Sequence, residues 1–292
     1  MEEILSWKST NFDEKDLIST FLELDFNENN NHSFNLKNIG LFNDSFQFLS
    51  AARLAPQEYY KSDDYIVRYK RQISLEKGQA ELVAHFLDYF RFKKVEFQNL
   101  LHPNQEEKSL ISQTTAWERE ISSNVNVVVN RVGKNFEIKY NFDTDGGLTT
   151  GDFKAENVGF GLTYALPIIV AILSAKKGSI LIIENPEAHL HPYAQSKIAE
   201  LMALAAMNDI QLFVETHSDH IINGVLVAIK NFENNGKGVS HDRVKMFFVE
   251  RDEKLHAANV IDIPVLEGGR LKNTPQGFFD QISKDRKFLM GF

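Results

Sequence analysis

The chain contains no cysteine. That excludes disulfides and thiolate metal sites and leaves the redox compartment unread. Long apolar runs are also missing. The longest, Gly159 to Ala175, is interrupted and falls short of the roughly 20 residues that span a bilayer comfortably. The opening stretch, MEEILSWKSTNFDEKD, is acidic and lacks the apolar centre of a signal peptide. Positive charge is in deficit: 32 Lys and Arg stand against 40 Asp and Glu, a net charge of −8. A surface dominated by phosphate contacts is disfavoured, although a local basic patch is compatible with that balance. No H-E-x-x-H metal motif occurs. What is present is ordinary globular material, 43% apolar and 25% charged over 292 residues. That length suits one large domain or two small ones. The expectation is a soluble cytoplasmic protein with no membrane partner.

The first fifty residues are rich in Phe and Asn. Phe21–Phe26 alternates as a strand does, Glu28–Ser33 is a turn cluster, and alternation resumes in SFNLKNIGLF. The stretch from 51 to 120 reads as irregular and mostly helical. Within it Glu76–Phe92 sets Leu82, His85, Phe86, Tyr89 and Phe90 at helical spacing, and Thr114–Ile121 reads as a second short helix. NVNVVVNRV and NFEIKYNF flank Gly133-Lys134 and predict a hairpin over 124–142, followed by the Gly-rich connector Asp143–Asp152.

From there helices and strands alternate. Helix Leu162–Ala175 precedes a buried strand, Ser179–Ile183. Helix Tyr193–Met207 precedes a second buried strand, Ile210–Glu215. Helix Asp219–Phe232 leads to strands Val244–Glu250 and Ala258–Ile263. This alternation predicts an α/β fold with a parallel sheet covered on both faces. No internal repeat is found.

Chemistry concentrates in GSILIIENPEAHLHP. Four apolar residues deliver Glu184 to the carboxyl end of a strand, where open α/β sheets bind ligands. A carboxylate there suits a hydrated Mg²⁺ held against phosphates; a strand ending in an acidic turn is the plainer alternative. The second strand ends in Glu215-Thr216-His217-Ser218, with Ser218 as N-cap of the next helix. His217 sits where a polar side chain can meet an anion, or can bond to backbone. Upstream, Gly159 and Gly161 open an apolar helix, whose N-terminal amides and dipole favour a phosphate.

In that order, NVGFGLTYALP, ILIIENPEAHLHP and FVETHSDHI resemble the signature, the Walker B strand with D-loop, and the H-switch of ABC-type ATPases. The similarity is to the soluble SMC-like and OLD-like (overcoming-lysogenization-defect) AAA-family members. FLSAARLAPQEYY and TPQGFFDQI resemble a bacterial subgroup with a short C-terminal domain. The resemblance runs from Phe46 to Ile282 and implies a P-loop NTPase-like head using ATP and Mg²⁺. It implies Glu184 on Mg²⁺ through water, Asn185 where relatives carry the catalytic glutamate, and His217 on the γ-phosphate. Asn157, Gly159 and Gly161 would cap the nucleotide of an opposite subunit. The D-loop Ala188–His191 would cross the dimer interface, with His191 replacing an aspartate.

Two departures shape the expectation. An amide at Asn185 positions water but does not take its proton. Glu187 is then the nearest substitute base and Glu215 the next, and slow hydrolysis suits a switch. Second, no G-x-x-x-x-G-K-[ST] occurs; Gly133-Lys134 and Gly236-Lys237 lack its remaining residues. Relatives carry the P-loop in an N-terminal lobe; here the sequence is a fragment of a longer one, or that lobe is encoded apart, or ATP is no longer used in the usual way, and the chain alone should bind ATP weakly.

The expected divisions are 1–50 as a remnant of that lobe, 51–123 as a largely helical arm, 124–265 as the C-terminal ATPase lobe and 266–292 as a tail domain. The expected function is an ATP-binding, slowly hydrolysing switch subunit. It would act as a homodimer or beside a P-loop-bearing or effector protein, in phage defence or DNA maintenance by family likeness. Two rivals stand beside it: a non-catalytic dimerising scaffold, and a metal-dependent hydrolase using His189, His191, His217 and His220. DNA is a partner by family likeness only. The best basic-aromatic patch comprises Arg68-Tyr69-Lys70-Arg71, Arg91, Lys93 and Lys94 with Tyr65 and Phe92. It also reads as a solvated helix face. The tail Gly277–Phe288 carries Phe278, Phe279, Ile282 and Phe288, which read as a plug on the protein's own core or as a partner surface.

Overall fold

The computed structural model describes residues 44–291. They belong to one compact unit. The strand readings at Phe21–Phe26 and in SFNLKNIGLF lie outside the described residues.

At the centre is a three-stranded parallel sheet in the order β1–β5–β6, with β1 at Phe46–Leu49, β5 at Ile180–Glu184 and β6 at Gln211–Glu215. Its middle strand is four aliphatic residues and an acid. Leu181 and Ile183 are buried, each contributing about 1.5–3 kcal/mol by leaving water. Three helices follow the predicted alternation: α3 (Phe160–Ser174), α4 (Pro192–Ala206) and α5 (Asp219–Asn235). α3 packs on β1 and β5, while α4 packs on β6 and against α5.

The termini of these helices are written in the sequence. Pro192 occupies the first turn of α4, where its missing N–H costs nothing. Ser218 caps α5 by accepting from the His220 and Ile221 amides at 3.1 and 3.2 Å. Gly236 ends α5 in the left-handed region, φ 74°, its amide returning to Phe232 O.

The irregular segment holds a π-helical turn (Tyr65–Tyr69), α1 (Val83–Phe90) and α2 (Leu110–Glu118). It packs with the antiparallel sheet β2–β3–β4 (Val125–Val132, Asn135–Phe142, Phe153–Lys154) and α3 in one continuous core.

Four expectations need correction. The helix read over Glu76–Phe92 begins only at Val83, because Gly78 and Ala80 adopt φ of 66° and 63°, outside the helical region. The helix read over Thr114–Ile121 starts earlier, where Ser109 caps α2. β6 is not buried: it is an edge of the described sheet, with Phe213 52% and Val214 36% exposed. An apolar run of five residues fits an edge strand as well as a central one. Finally, β7 (Met246–Asp252) and β8 (Ala257–Ile263) do not extend the parallel sheet. They pair with each other antiparallel, joined by a turn too short for a crossover. Beyond them come a small hairpin of β9 (Val265–Leu266) and β10 (Arg270–Leu271), then α6 (Gln281–Leu289). Phe278 plugs against Phe248 beneath β7, whereas Phe279, Ile282 and Phe288 stay exposed. Only one of the four tail residues therefore seats on the protein's own core.

The α2–α3 region holds a fully buried acid. Both carboxyl oxygens of Glu118 lack a hydrogen-bond partner among the described residues, as does the hydroxyl of Thr114. Burial pushes the Glu118 carboxyl well above its ordinary range. The folded state then holds a proton that the unfolded state releases above pH about 4.5, so stability falls as pH rises from there toward the folded value. Glu118→Leu is expected to raise stability by about 1–3 kcal/mol at neutral pH, with a smaller gain at pH 5. Urea unfolding of both proteins at the two pH values checks this; equal gains would contradict it.

Candidate functional site

The carboxyl ends of β5 and β6 form one rim. Glu184 and Glu215 are register partners across the two strands. Asn185 extends the ladder one step, its amide donating to Glu215 O at 2.9 Å, and it turns the chain with φ 44°. Asparagine tolerates that left-handed conformation better than most side chains.

Each acid of the rim has a distinct setting. Glu184 accepts from the Ala51 amide through Oε2 at 2.8 Å. Among the described residues no partner engages its Oε1. Glu215 meets His217 Nε2 through Oε1 at 2.9 Å and accepts a longer bond from the Asn185 amide through Oε2 at 3.3 Å. Glu187 uses both oxygens: one accepts from Thr216 Oγ1 and the other from the His217 amide, both at 2.7 Å. The turn after β5 and the turn after β6 are thereby tied together, while the His217 side chain remains 80% exposed.

Beneath the rim lies a residue that the sequence reading did not single out. Arg53, only 4% exposed, donates Nη1 to the carbonyls of Ser50 (2.9 Å) and Glu184 (2.6 Å) and Nη2 to that of Asn185 (2.7 Å). Burial lowers its pKa to about 10, opposed by Tyr164, Glu187 and Glu184. The guanidinium thus stays charged at neutral pH. An arginine in a loop ordinarily reads as a surface residue. The available signal was its position, directly after a strand that pairs with the acid-bearing one.

The turn continues to α4. His189 adopts φ 61°, and its ring lies 4.4 Å from Tyr164 and 5.7 Å from Phe160. A side chain at Gly161 would place its Cβ 2.9 Å from His189 O, so glycine is what lets α3 approach this turn. Gly159 is exposed and surrounded by open space, and no side chain caps α3. No side chain caps the first amides of this 15-residue helix, though the Leu162 amide returns to Gly159 O at 3.2 Å; a helix N-terminus of this kind favours an anion. Asn157 is exposed in the short 3₁₀ turn just before.

The four histidines of the metal reading serve separate ends. His191 caps α4 by accepting from the Tyr193 amide, His189 packs its ring against Tyr164, His217 pairs with Glu215, and His220 lies 3.6 Å from Asp219. Among the described residues no group of three or more such side chains is placed to hold a metal ion. That arrangement corrects the metal-dependent hydrolase reading, whose ligands do not converge. A hydrated Mg²⁺ asks for less, one or two carboxylates plus phosphates, and the free oxygen of Glu184 beside Glu215 fits it.

A family model described as "AAA domain, putative AbiEii toxin, Type IV TA system" matches residues 6–223. The chain belongs to this AAA domain family. The match takes in β1 through the first turn of α5 and so covers the whole rim. A second family, of proteins of unknown function (DUF3696), matches residues 239–288, which include the β7–β8 hairpin and most of α6. Among solved structures, a chain from work on ATP-driven dimerization and DNA stimulated activation of SMC ATPases is 12% identical, with a TM-score of 0.40; the match covers 70% of this chain and 97% of that one. No curated protein matches. Among the described residues, no helix of this AAA domain protein is long and apolar enough to cross a membrane.

The basic-aromatic patch lies apart from the rim's contacts. Tyr65, Tyr69, Tyr89 and Phe92 are exposed, with Arg68 over the Tyr89 ring at 4.9 Å and Lys70 near Tyr65 at 5.8 Å. Arg71 turns inward to Asp44.

Proposed function

We propose that the chain is a nucleotide-dependent switch subunit that contributes the Mg²⁺ acid, the γ-phosphate-facing histidine and the glycine-led helix of an ATP site. The phosphate cradle itself comes from a P-loop-bearing lobe outside this sequence. One observation carries the reading: two adjacent parallel strands end side by side in Glu184 and in Glu215-Thr216-His217, and Glu187 ties the two turns together. Family membership supports ATP as the ligand.

The roles follow from the settings. Glu184, with an oxygen free, holds the hydrated Mg²⁺; the cation neutralises phosphate charge when bound. His217, exposed and oriented by Glu215, donates to the terminal phosphate. Asn185 orients water. Glu187, each of whose oxygens already accepts one bond from the turn after β6, serves as a positioning residue rather than as the base. Gly159 and the first amides of α3, with Asn157 before them, meet the nucleotide of an opposing subunit, which makes dimerisation part of the mechanism. His191 caps α4 and sets the turn that would lie at that interface. Residues 124–265 form the lobe that carries these groups.

A second reading has its own support. With an amide at Asn185 and Glu187 engaged, no free base lies beside the Mg²⁺ acid except the His217-paired Glu215. Nucleotide-driven association with little or no turnover, the scaffold alternative, is consistent with that.

The test is to recover the tagged chain from its native host and identify co-purifying proteins. A G-x-x-x-x-G-K-[ST] protein is expected. Sedimentation with and without ATP and Mg²⁺ should then show larger assemblies only with both. Association indifferent to nucleotide would overturn the switch; association without phosphate release would favour the second reading. The chain alone is expected to bind ATP weakly. It lacks the cradle's charge-assisted contacts, each about 1.5–3 kcal/mol.

A further inference from the structure

We propose that Arg53 is a positioning residue that couples the acid-bearing rim to the start of α3, through Tyr164 and His189. The inference rests on the proposed ATP site for its consequence, but its physical content is separate.

The path is continuous. The Ser50–Arg53 turn grips Glu184 twice, by the Ala51 amide on its carboxylate and by the Arg53 guanidinium on its carbonyl. The same guanidinium holds the carbonyl of Asn185, where the chain leaves β5 with positive φ. On its other side Arg53 lies 5.9 Å from the centre of the Tyr164 ring, which projects from the first turns of α3. The Tyr164 ring lies 4.4 Å from that of His189 at a tilt of 50°, and the His189 carbonyl abuts Gly161. The Asn185–His189 turn thus begins and ends in left-handed conformations. Arg53 fixes one end, and α3 fixes the other.

The chemistry suits a coupler better than a mere filler. A buried guanidinium that spends its donors on carbonyls, with Nε unpartnered, is poorly compensated for stability alone. Its planar fork can hold two successive carbonyls in fixed relation, which lysine's point charge cannot. Moving Glu184 toward or away from a cation would shift those carbonyls. The shift would pass by the two contacting rings to the glycine-led amides. In an assembly where the acid serves one nucleotide and the amides another, Arg53 sets the distance between two sites.

Hydrogen exchange on the intact chain tests the coupling without nucleotide. Tyr164→Leu is expected to speed exchange at the Ala51 and Asn185 amides at least tenfold, although Tyr164 contacts neither, while Tyr164→Phe leaves them unchanged. Arg53→Lys should speed the same amides and those of Ala188 and Leu190. A response confined to residues touching Tyr164 would overturn the proposal even if Arg53→Lys fails to fold. In the native assembly, Tyr164→Leu should raise the ATP concentration for half-maximal association about tenfold, and Tyr164→Phe should not. If the unsubstituted assembly ignores ATP while the exchange coupling persists, the ATP-site reading fails and the coupling stands. An unshifted ATP dependence in Tyr164→Leu would overturn the functional half of the proposal.

Discussion

Glu184→Gln is expected to abolish the Mg²⁺ dependence of nucleotide binding in the native assembly while leaving the fold intact. The substitution preserves shape, and a glutamine oxygen can still accept from the Ala51 amide that now bonds Oε2. The cost to stability should therefore stay within about 1 kcal/mol. What disappears is the negative charge beside Glu215 at the strand ends. A hard cation takes carboxylate and water oxygens, and loss of its main anionic ligand should weaken Mg²⁺ binding on the order of 100-fold, about 2.7 kcal/mol. Titrating Mg²⁺ into the assembly with a non-hydrolysable ATP analogue measures this directly. Glu215→Gln provides the contrast. That acid already engages His217 and the Asn185 amide, so its loss should disturb the histidine more than the cation. Retention of Mg²⁺ dependence in Glu184→Gln, with its loss in Glu215→Gln, would exchange the roles of the two acids.

The legible parts of the molecule were those whose signals are local. β5 and the helices around it could be read from apolar runs bounded by Pro192, Ser218 and Gly236, each of which acts on the backbone within a turn of itself. The order of acid, histidine and glycine-led helix was legible for the same reason. What escaped depends on groups distant in sequence. The exposure of Phe213 and Val214 is set by what pairs with β6, which no residue within β6 encodes. The antiparallel pairing of β7 with β8 was masked by the helix–strand alternation before it. Arg53 is 131 positions from Glu184, and nothing in FLSAARLAP says that its guanidinium turns inward. Glu187 was read as a spare base because it is close in sequence to Asn185. Each of its oxygens accepts a bond from a residue 29 or 30 positions further on, which the sequence does not show. Burial and lone-pair occupancy are properties of the assembled rim, so sequence reading recovers the residue types there better than their jobs.

Glu187 supplies the sharpest discrimination between jobs. A general base and a clamp respond differently to the same pair of substitutions. A base loses its function equally in glutamine and in alanine, since neither accepts a proton at neutral pH. A clamp keeps most of its function in glutamine. The amide oxygen can still accept from the His217 backbone, and the amide nitrogen can donate to Thr216 Oγ1, where the carboxylate now accepts from it. Alanine removes both bonds; water can replace them at this exposed rim, so the cost to stability is about 0.5–1.5 kcal/mol each. It also frees the turn that presents His217. The expected result in the assembly is therefore asymmetric. Glu187→Gln should cut the nucleotide response by severalfold, and Glu187→Ala by on the order of 100-fold. If hydrolysis is measurable, Glu187→Gln should retain its pH profile, because the titrating group would lie elsewhere. Equal and near-complete loss in both variants would mean that Glu187 releases Thr216 and His217 when nucleotide binds and takes the proton from water. The rim would then have to open before it reacts.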